Sequence, residues 1–367
     1  MRSFFLLFLT IAFYHIETYS QVTGSDMQKL LRIPHQYTVL KTTEKIKVNG
    51  RDEEKAWDKA AWTEVFSDIV DGNKLSSNKT RCKMLWDDEF LYLYAQLEEQ
   101  DIWASIRDHD ASVFQDNAFE MFIDPTGDSH NYFEFQINAY STVWDLFMPK
   151  PYRNGGRSLS SWDIKGLKKA IYLNGTLNKP GDKDISWNIE LAIPFNSLKI
   201  NRKGTPEEGT IWRMNFSHVQ WDVDVKDGKY VRKRDSTAKL FPEHYTVWSP
   251  QGIINLHYPE RWGYVLFSDT LPVSPFISIE TENLKLLLWK YYYLQQGFKR
   301  QYGKYANTFD QLNKMYPQIV NPKDQSATIK MEATDHQFWI QCFFPALNIN
   351  MNLDQDGQLS QEISPLK

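Results

Sequence analysis

Cysteine is nearly absent from this 367-residue chain, which carries only Cys82 and Cys342. Two cysteines so far apart predict free thiols rather than a disulfide framework, and no Cys/His group has zinc-finger spacing. Long basic runs are missing too. The formal net charge is −4, the pI is about 6.1, and the short patch Arg232-Lys233-Arg234 reads as a solvated loop. That balance excludes nucleic acid as the expected partner. The apolar run Phe4–Tyr14 is too short to anchor the chain across a bilayer. Preceded by Arg2 and followed by polar residues, it makes residues 1–20 read as a secretory signal, cleaved near Ser20–Gln21. No cysteine sits there to take a lipid. An exported chain without a transmembrane anchor, periplasmic or extracellular, is therefore expected.

Aromatic residues, by contrast, are abundant: 13 Trp, 19 Tyr and 22 Phe. Such a load suits β-strands and sugar-facing surfaces alike. Period-two alternation is clearest in Phe119–Ile123 and Tyr132–Ala139, joined by the turn residues Asp124-Pro125-Thr126-Gly127-Asp128. A slip of one residue would set an apolar row beside Glu134 and Gln136, so paired residue numbers must sum to an even value. Glu120 and Phe122 are thereby predicted to share a face with Glu134, Gln136 and Asn138, leading on to an aromatic loop from Trp144 to Arg153.

Further strands are predicted over Thr80–Trp86, Phe90–Leu97, Trp162–Tyr172, Ser186–Ile193, Thr210–Gln220 and Trp262–Phe267. Many short strands with turn signals between them predict an all-β fold, a two-sheet antiparallel β-sandwich over residues 41–268. Residues 21–40 read as a linker. Beyond Pro275 the period changes: Leu284, Leu287, Leu288, Tyr291 and Leu294 mark a helix over Glu282–Tyr305. Phe309–Tyr316 reads as a second short helix. Three strands follow, making residues 280–367 a small α+β appendix without legible chemistry.

The stretches VNGRDEEKAW, KMLWDDEFLYLYAQLEE, DNAFEMFIDP, NAYSTVWDLFMPKPY, WNIELAIPF, WRMNFSHVQW and VWSPQGIINLHYPERWG run in order from about residue 40 to 268. Together they closely resemble the family 9 carbohydrate-binding-module-like proteins of exported bacterial polysaccharide systems. That resemblance implies a β-sandwich, a non-catalytic role in polysaccharide use, and in some members a structural calcium. It also implies a sugar sandwiched by two tryptophans with an arginine nearby. Those positions fall near Val113, near Leu256 and at Gln136, so other aromatics must do any stacking.

Candidate ligand-binding residues are therefore Asn138, Trp144, Asp145, Tyr152, Arg153, Trp162, Trp221, Gln251, Asn255, His257 and Trp262. Aromatic faces meet the C–H faces of sugars, and planar polar groups meet their hydroxyls. Trp57, Trp86, Trp187 and Trp212 read as core. Glu120 and Glu134 form the carboxylate pair that an alternative, an endoxylanase-like glycoside hydrolase, would need. Solvated strand faces carry such pairs without catalysis, and they are read here primarily that way. Asp124, Asp128 and Asn131 are candidate calcium ligands, although no cofactor is required. Two further alternatives are a sandwich that has lost sugar affinity and serves as an interaction domain, and a haem-binding sandwich. Haem would require Met121, which the alternation points into the core.

Overall fold

The structure is a computed structural model that describes residues 24–199, 205–271, 275–317 and 327–363. The proposed signal, residues 1–20, lies outside them. Fourteen strands build the main body. They are β1 (Gln36–Lys41), β2 (Ser67–Asp68), β3 (Thr80–Trp86), β4 (Phe90–Glu98), β5 (Ala118–Asp124), β6 (Tyr132–Asn138) and β7 (Val143–Met148), then β8 (Lys168–Asn174), β9 (Ser186–Pro194), β10 (Ile211–Gln220), β11 (Val223–Lys226), β12 (Lys229–Arg232), β13 (His244–Val247) and β14 (Gly263–Ser268). Except for the small β11–β12 hairpin, they form one hydrogen-bonded path, β7-β6-β5-β10-β14-β1-β3-β4-β9-β8, with β13 and β2 branching from β10.

The path folds back on itself. Phe119, Met121, Ile123, Phe133, Phe135 and Ile137 from one half share a single core with Leu91, Leu93, Leu97, Trp187, Ile189 and Leu191 from the other. The result is the expected β-sandwich, with its layers joined through β1. That strand is parallel to both β14 and β3 in an otherwise antiparallel arrangement. The β5–β6 register pairs Ala118 with Asn138, Glu120 with Gln136 and Phe122 with Glu134. Every pair sums to an even number, as the alternation requires. Trp57, Trp86, Trp187 and Trp212 are all buried, as are both cysteines, which are not disulfide-bonded to each other.

Several expectations change. Residues 21–40 do not form a linker throughout: α1 spans Gly24–Leu30 and β1 lies mid-sheet, with Tyr37 and Val39 turned into the core. The strand predicted from Trp162 begins only at Lys168. The stretch read as a loop from Trp144 is strand β7 as far as Met148. It pairs with β6 and extends the sheet.

The C-terminal region contains α2 (Ile279–Tyr302), α3 (Phe309–Met315) and a four-stranded antiparallel sheet. That sheet is β15 (Thr328–Ala333), β16 (Phe338–Phe344), β17 (Ile349–Asp354) and β18 (Leu359–Ile363). Ser278 caps α2 by accepting from the Thr281 amide, and Gly303 ends it in a left-handed conformation that favours glycine. The region has its own core around Leu288, Tyr291, Tyr292, Ile340 and Leu353, yet Met27, Leu30 and Tyr258 belong to that core as well. The appendix is thus docked on the sandwich rather than merely tethered to it.

Candidate functional site

The outer face of β7-β6-β5-β10 turns away from the core and carries an unusual row of side chains. Register places Trp144 opposite Gln136, Gln136 opposite Glu120, and Glu120 opposite Ser217. The neighbouring row runs Leu146, Glu134, Phe122 and Asn215. Because successive strand residues alternate between faces, these side chains must share one surface.

The polar members of this surface are buried rather than solvated, and their partners are incomplete. Glu120 is 2% exposed. Ser217 stands directly across from Glu120 and its hydroxyl eases the buried carboxyl, so the Trp144 indole N–H is the member of this row left without a partner. Burial, with Glu134 close by, pushes the Glu120 carboxyl well above its ordinary range. Burial also lifts Glu134 to about 7, partly offset by a hydrogen bond from Gln136. A carboxyl held at about 7, as Glu134 is, can act as donor or acceptor near neutral pH.

Aromatic residues frame this floor. Phe114 stacks on Trp144 with ring centres 6.0 Å apart. Its backbone N–H donates to Gln136 Oε1 at 2.9 Å, while its carbonyl accepts from the Trp221 indole at 2.8 Å. Gln136 Nε2 in turn donates to Glu134 Oε1 at 2.7 Å. On the other flank the His257 ring stands 4.5 Å from that of Tyr152, which is 44% exposed. His257 Nδ1 lies 2.9 Å from the Tyr132 hydroxyl and Nε2 lies 3.5 Å from Glu134 Oε2. Burial drives the imidazole down to about 3, so the ring is neutral at working pH. The assignment that satisfies both contacts has Tyr132 donating to Nδ1 and Nε2–H facing the carboxyl. Beyond Trp221 and Tyr245 opens a groove of about 940 Å³, lined also by Asn117, Gln220, Glu243 and Ile254.

Of the predicted ligand-binding residues, Trp144, Tyr152, Trp221 and His257 gather around this surface. Asn255 supports it by accepting from the His257 backbone N–H at 2.8 Å. Gln251 is buried with both amide atoms unpartnered. Five others serve the framework. Asn138 spends its amide on Ile106 O, Asp116 and the Tyr140 and Thr142 N–H groups, closing the β6–β7 turn. Asp145 pairs with Phe135 on β6 and so lies on the opposite face from Trp144. Trp162 packs 4.5 Å from the core ring of Phe133. Trp262 is fully buried in the cluster of Phe122, Tyr132, Leu146 and Met148, with its indole donating to Leu256 O. Arg153 is buried against the C-terminal region: it pairs with Glu260 at 2.9 Å, donates to His257 O and stacks over Tyr258.

The candidate calcium ligands sit in the β5–β6 turn. Asp124 Oδ1 accepts from the Thr126 and Gly127 N–H groups and Oδ2 from Ser129. The carboxylate thus holds its own turn together, and Thr126 Oγ1 lies within hydrogen-bond reach of both Asp124 and Asp128. Met121 is sealed in the core at 0% exposure, so it cannot reach haem without opening the sandwich. Phe114 was missed: the resemblance pointed to Val113, which is itself fully buried. An aromatic residue one position further on was the available signal.

Residues 48–246, more than half of the chain, match the model of the carbohydrate family 9 binding domain-like family. Over 152 residues the chain is 25% identical to endo-1,4-beta-xylanase A of Thermoanaerobacterium saccharolyticum, covering 41% of this chain and only 10% of the xylanase. Among solved structures, a candidate carbohydrate-binding protein of Bacteroides uniformis superposes with a TM-score of 0.48 at 17% identity, covering 64% of this chain and all of that one. A family 9 carbohydrate-binding module of Caldicellulosiruptor kristjanssonii, solved with glucose, gives 0.40 at 14% identity, covering 65% of this chain and all of that module.

Proposed function

Because the chain belongs to the carbohydrate family 9 binding domain-like family, we propose that it binds glycan without cleaving it, on the outer face of β7-β6-β5-β10. The partly exposed rings of Phe114, Trp144, Trp221 and Tyr152 around the Gln136–Glu134 row carry this reading. Planar polar groups at the rim would meet the hydroxyls of a sugar. Phe114 and Trp144 take the part of the stacking platform, and Tyr152 with His257 closes the far side. The groove beyond Tyr245 gives room for further residues of a chain. An exported role in polysaccharide use goes with this reading, and mass spectrometry of the secreted N-terminus, expected near Gln21, checks it.

Affinity-gel electrophoresis on a panel of soluble polysaccharides is the direct test. At least one should retard the protein, and Trp144→Ala should abolish the retardation. Retardation by none overturns the reading.

A second reading, glycoside hydrolysis, draws on the two buried carboxyls with raised proton affinity on one face. That is the environment a general acid requires. It is separated from the first by release of reducing sugar. Release that disappears in Glu134→Gln would establish an enzyme, and its absence from every bound polysaccharide supports a binding module.

A further inference from the structure

On the reverse side of the β7 edge, four side chains from three separate segments converge. His109, Asp110, Asp145 and Asp163 each present a ligand atom, and these atoms all lie within 4.8 Å of one another. His109 and Asp110 come from the loop before β5, Asp145 from β7, and Asp163 from the loop before β8. Three carboxylates gathered on one imidazole are common on surfaces without any ion. Two further features distinguish this group.

The first is Asp145. It is only 2% exposed, and while its Oδ2 accepts from the Ile164 N–H at 2.6 Å, its Oδ1 has no hydrogen-bond partner. A buried carboxylate oxygen without a donor is costly to leave so, and a cation removes that cost. The second is the set of the histidine. His109 Nδ1 lies 3.0 Å from the backbone carbonyl of Val143, so it must carry a proton and donate. The same carbonyl accepts from the Asp110 N–H at 3.1 Å. A carbonyl holding Nδ1–H is the outer-shell arrangement that fixes the tautomer of a metal-binding imidazole and turns the Nε2 lone pair outward. Nε2 carries a hydrogen bond to Asp163 Oδ1 at 2.7 Å, with Asp110 Oδ1 at 3.5 Å, and a metal ion would take the place of that proton.

We propose that His109, Asp110, Asp145 and Asp163 form a binding site for one divalent zinc ion. One nitrogen and three carboxylate oxygens match the borderline character of zinc, whereas calcium prefers an all-oxygen shell. In a tetrahedral site with zinc–ligand bonds of about 2.0–2.1 Å, neighbouring ligand atoms sit roughly 3.3 Å apart. Asp110 already stands near that separation from Nε2. Asp163 must retreat by about half an ångström, which its exposed side chain permits. Neutral imidazole and three carboxylates sum to −3, so a divalent ion leaves the cluster at −1. The bound ion would staple the Asp110 loop, β7 and the Asp163 loop behind the strand that carries Trp144. Its role is to hold the sheet edge.

The test is uptake by the full chain, stripped with a chelator and dialysed against zinc, with metal content measured by mass spectrometry. One zinc per chain is expected, together with a rise in Tm that chelator reverses. His109→Ala, at an exposed position that should leave folding intact, is expected to lower zinc affinity at least tenfold. Cobalt in place of zinc should give the visible absorption of a tetrahedral site, and that absorption should vanish in His109→Ala. Failure of the stripped chain to take up zinc overturns the proposal, as does uptake unchanged in His109→Ala. Stabilisation by calcium with zinc inert overturns it as well.

Discussion

Replacing Glu134 by glutamine should change how stability depends on pH. In the folded chain burial holds this carboxyl at about 7, against an ordinary value of 4.5. The folded state therefore keeps a proton that the unfolded state has already released between those two values. Stability must fall as pH rises through that window, because the unfolded chain then binds fewer protons than the native one. At 1.36 kcal/mol per pH unit, ionising Glu134 in place costs roughly 3 kcal/mol more than ionising it in the unfolded chain. Most of this cost, roughly 2.5 kcal/mol, enters between pH 5 and pH 8. Glutamine keeps a carbonyl for Gln136 Nε2 and carries no charge, so the variant escapes it. Urea unfolding of both proteins at pH 5 and pH 8 provides the assay. The variant should gain about 3 kcal/mol over wild type at pH 8 and a little under 1 kcal/mol at pH 5. Stability differences equal at the two pH values would refute the burial argument for this floor.

Other consequences concern the docking of the C-terminal region and the core beneath the site. Glu260 accepts from Arg153 at 2.9 Å and from the Tyr293 hydroxyl at 2.5 Å. Glu260→Gln leaves a buried guanidinium without its counter-charge and should cost about 3–5 kcal/mol. Limited proteolysis should then cut α2 ahead of the sandwich strands; an unchanged digestion pattern would show that the pair does not hold the region in place. A Cβ at Gly263 would lie 2.3 Å from the Trp248 ring. Gly263→Ala should therefore lower stability by about 1–3 kcal/mol through overpacking, read as a shift of the urea midpoint.

The sandwich was legible where alternation and register reinforce each other. At β5–β6, burying Phe119, Met121 and Ile123 while keeping Glu134 off the core admits only one parity of pairing. β1 was not legible, because a strand parallel to both neighbours leaves no hairpin turn to announce it. The site was legible only in part, since a tryptophan's identity does not reveal its face. Trp144, Trp162 and Trp262 look alike in sequence. One borders the polar row, one packs on Phe133, and one fills a buried cluster. Arg153 looked free because its partner Glu260 lies 107 residues away. The His109 cluster was illegible for the same reason: three segments supply it, and no spacing connects them.

The central claim is that sugar is bound on the Trp144 face and nowhere else on the sandwich. Calorimetric titration with an oligosaccharide of the best-retained polysaccharide, comparing Trp144→Ala with Trp162→Phe, tests it most directly. Covering about 60 Å² of apolar ring at ~25 cal/mol per Å² contributes about 1.5 kcal/mol, a tenfold change in Kd. Trp144→Ala should therefore weaken binding at least tenfold, while Trp162→Phe should leave Kd unchanged. Binding that survives Trp144→Ala intact and is lost in Trp162→Phe would place the sugar on the other face and contradict the account.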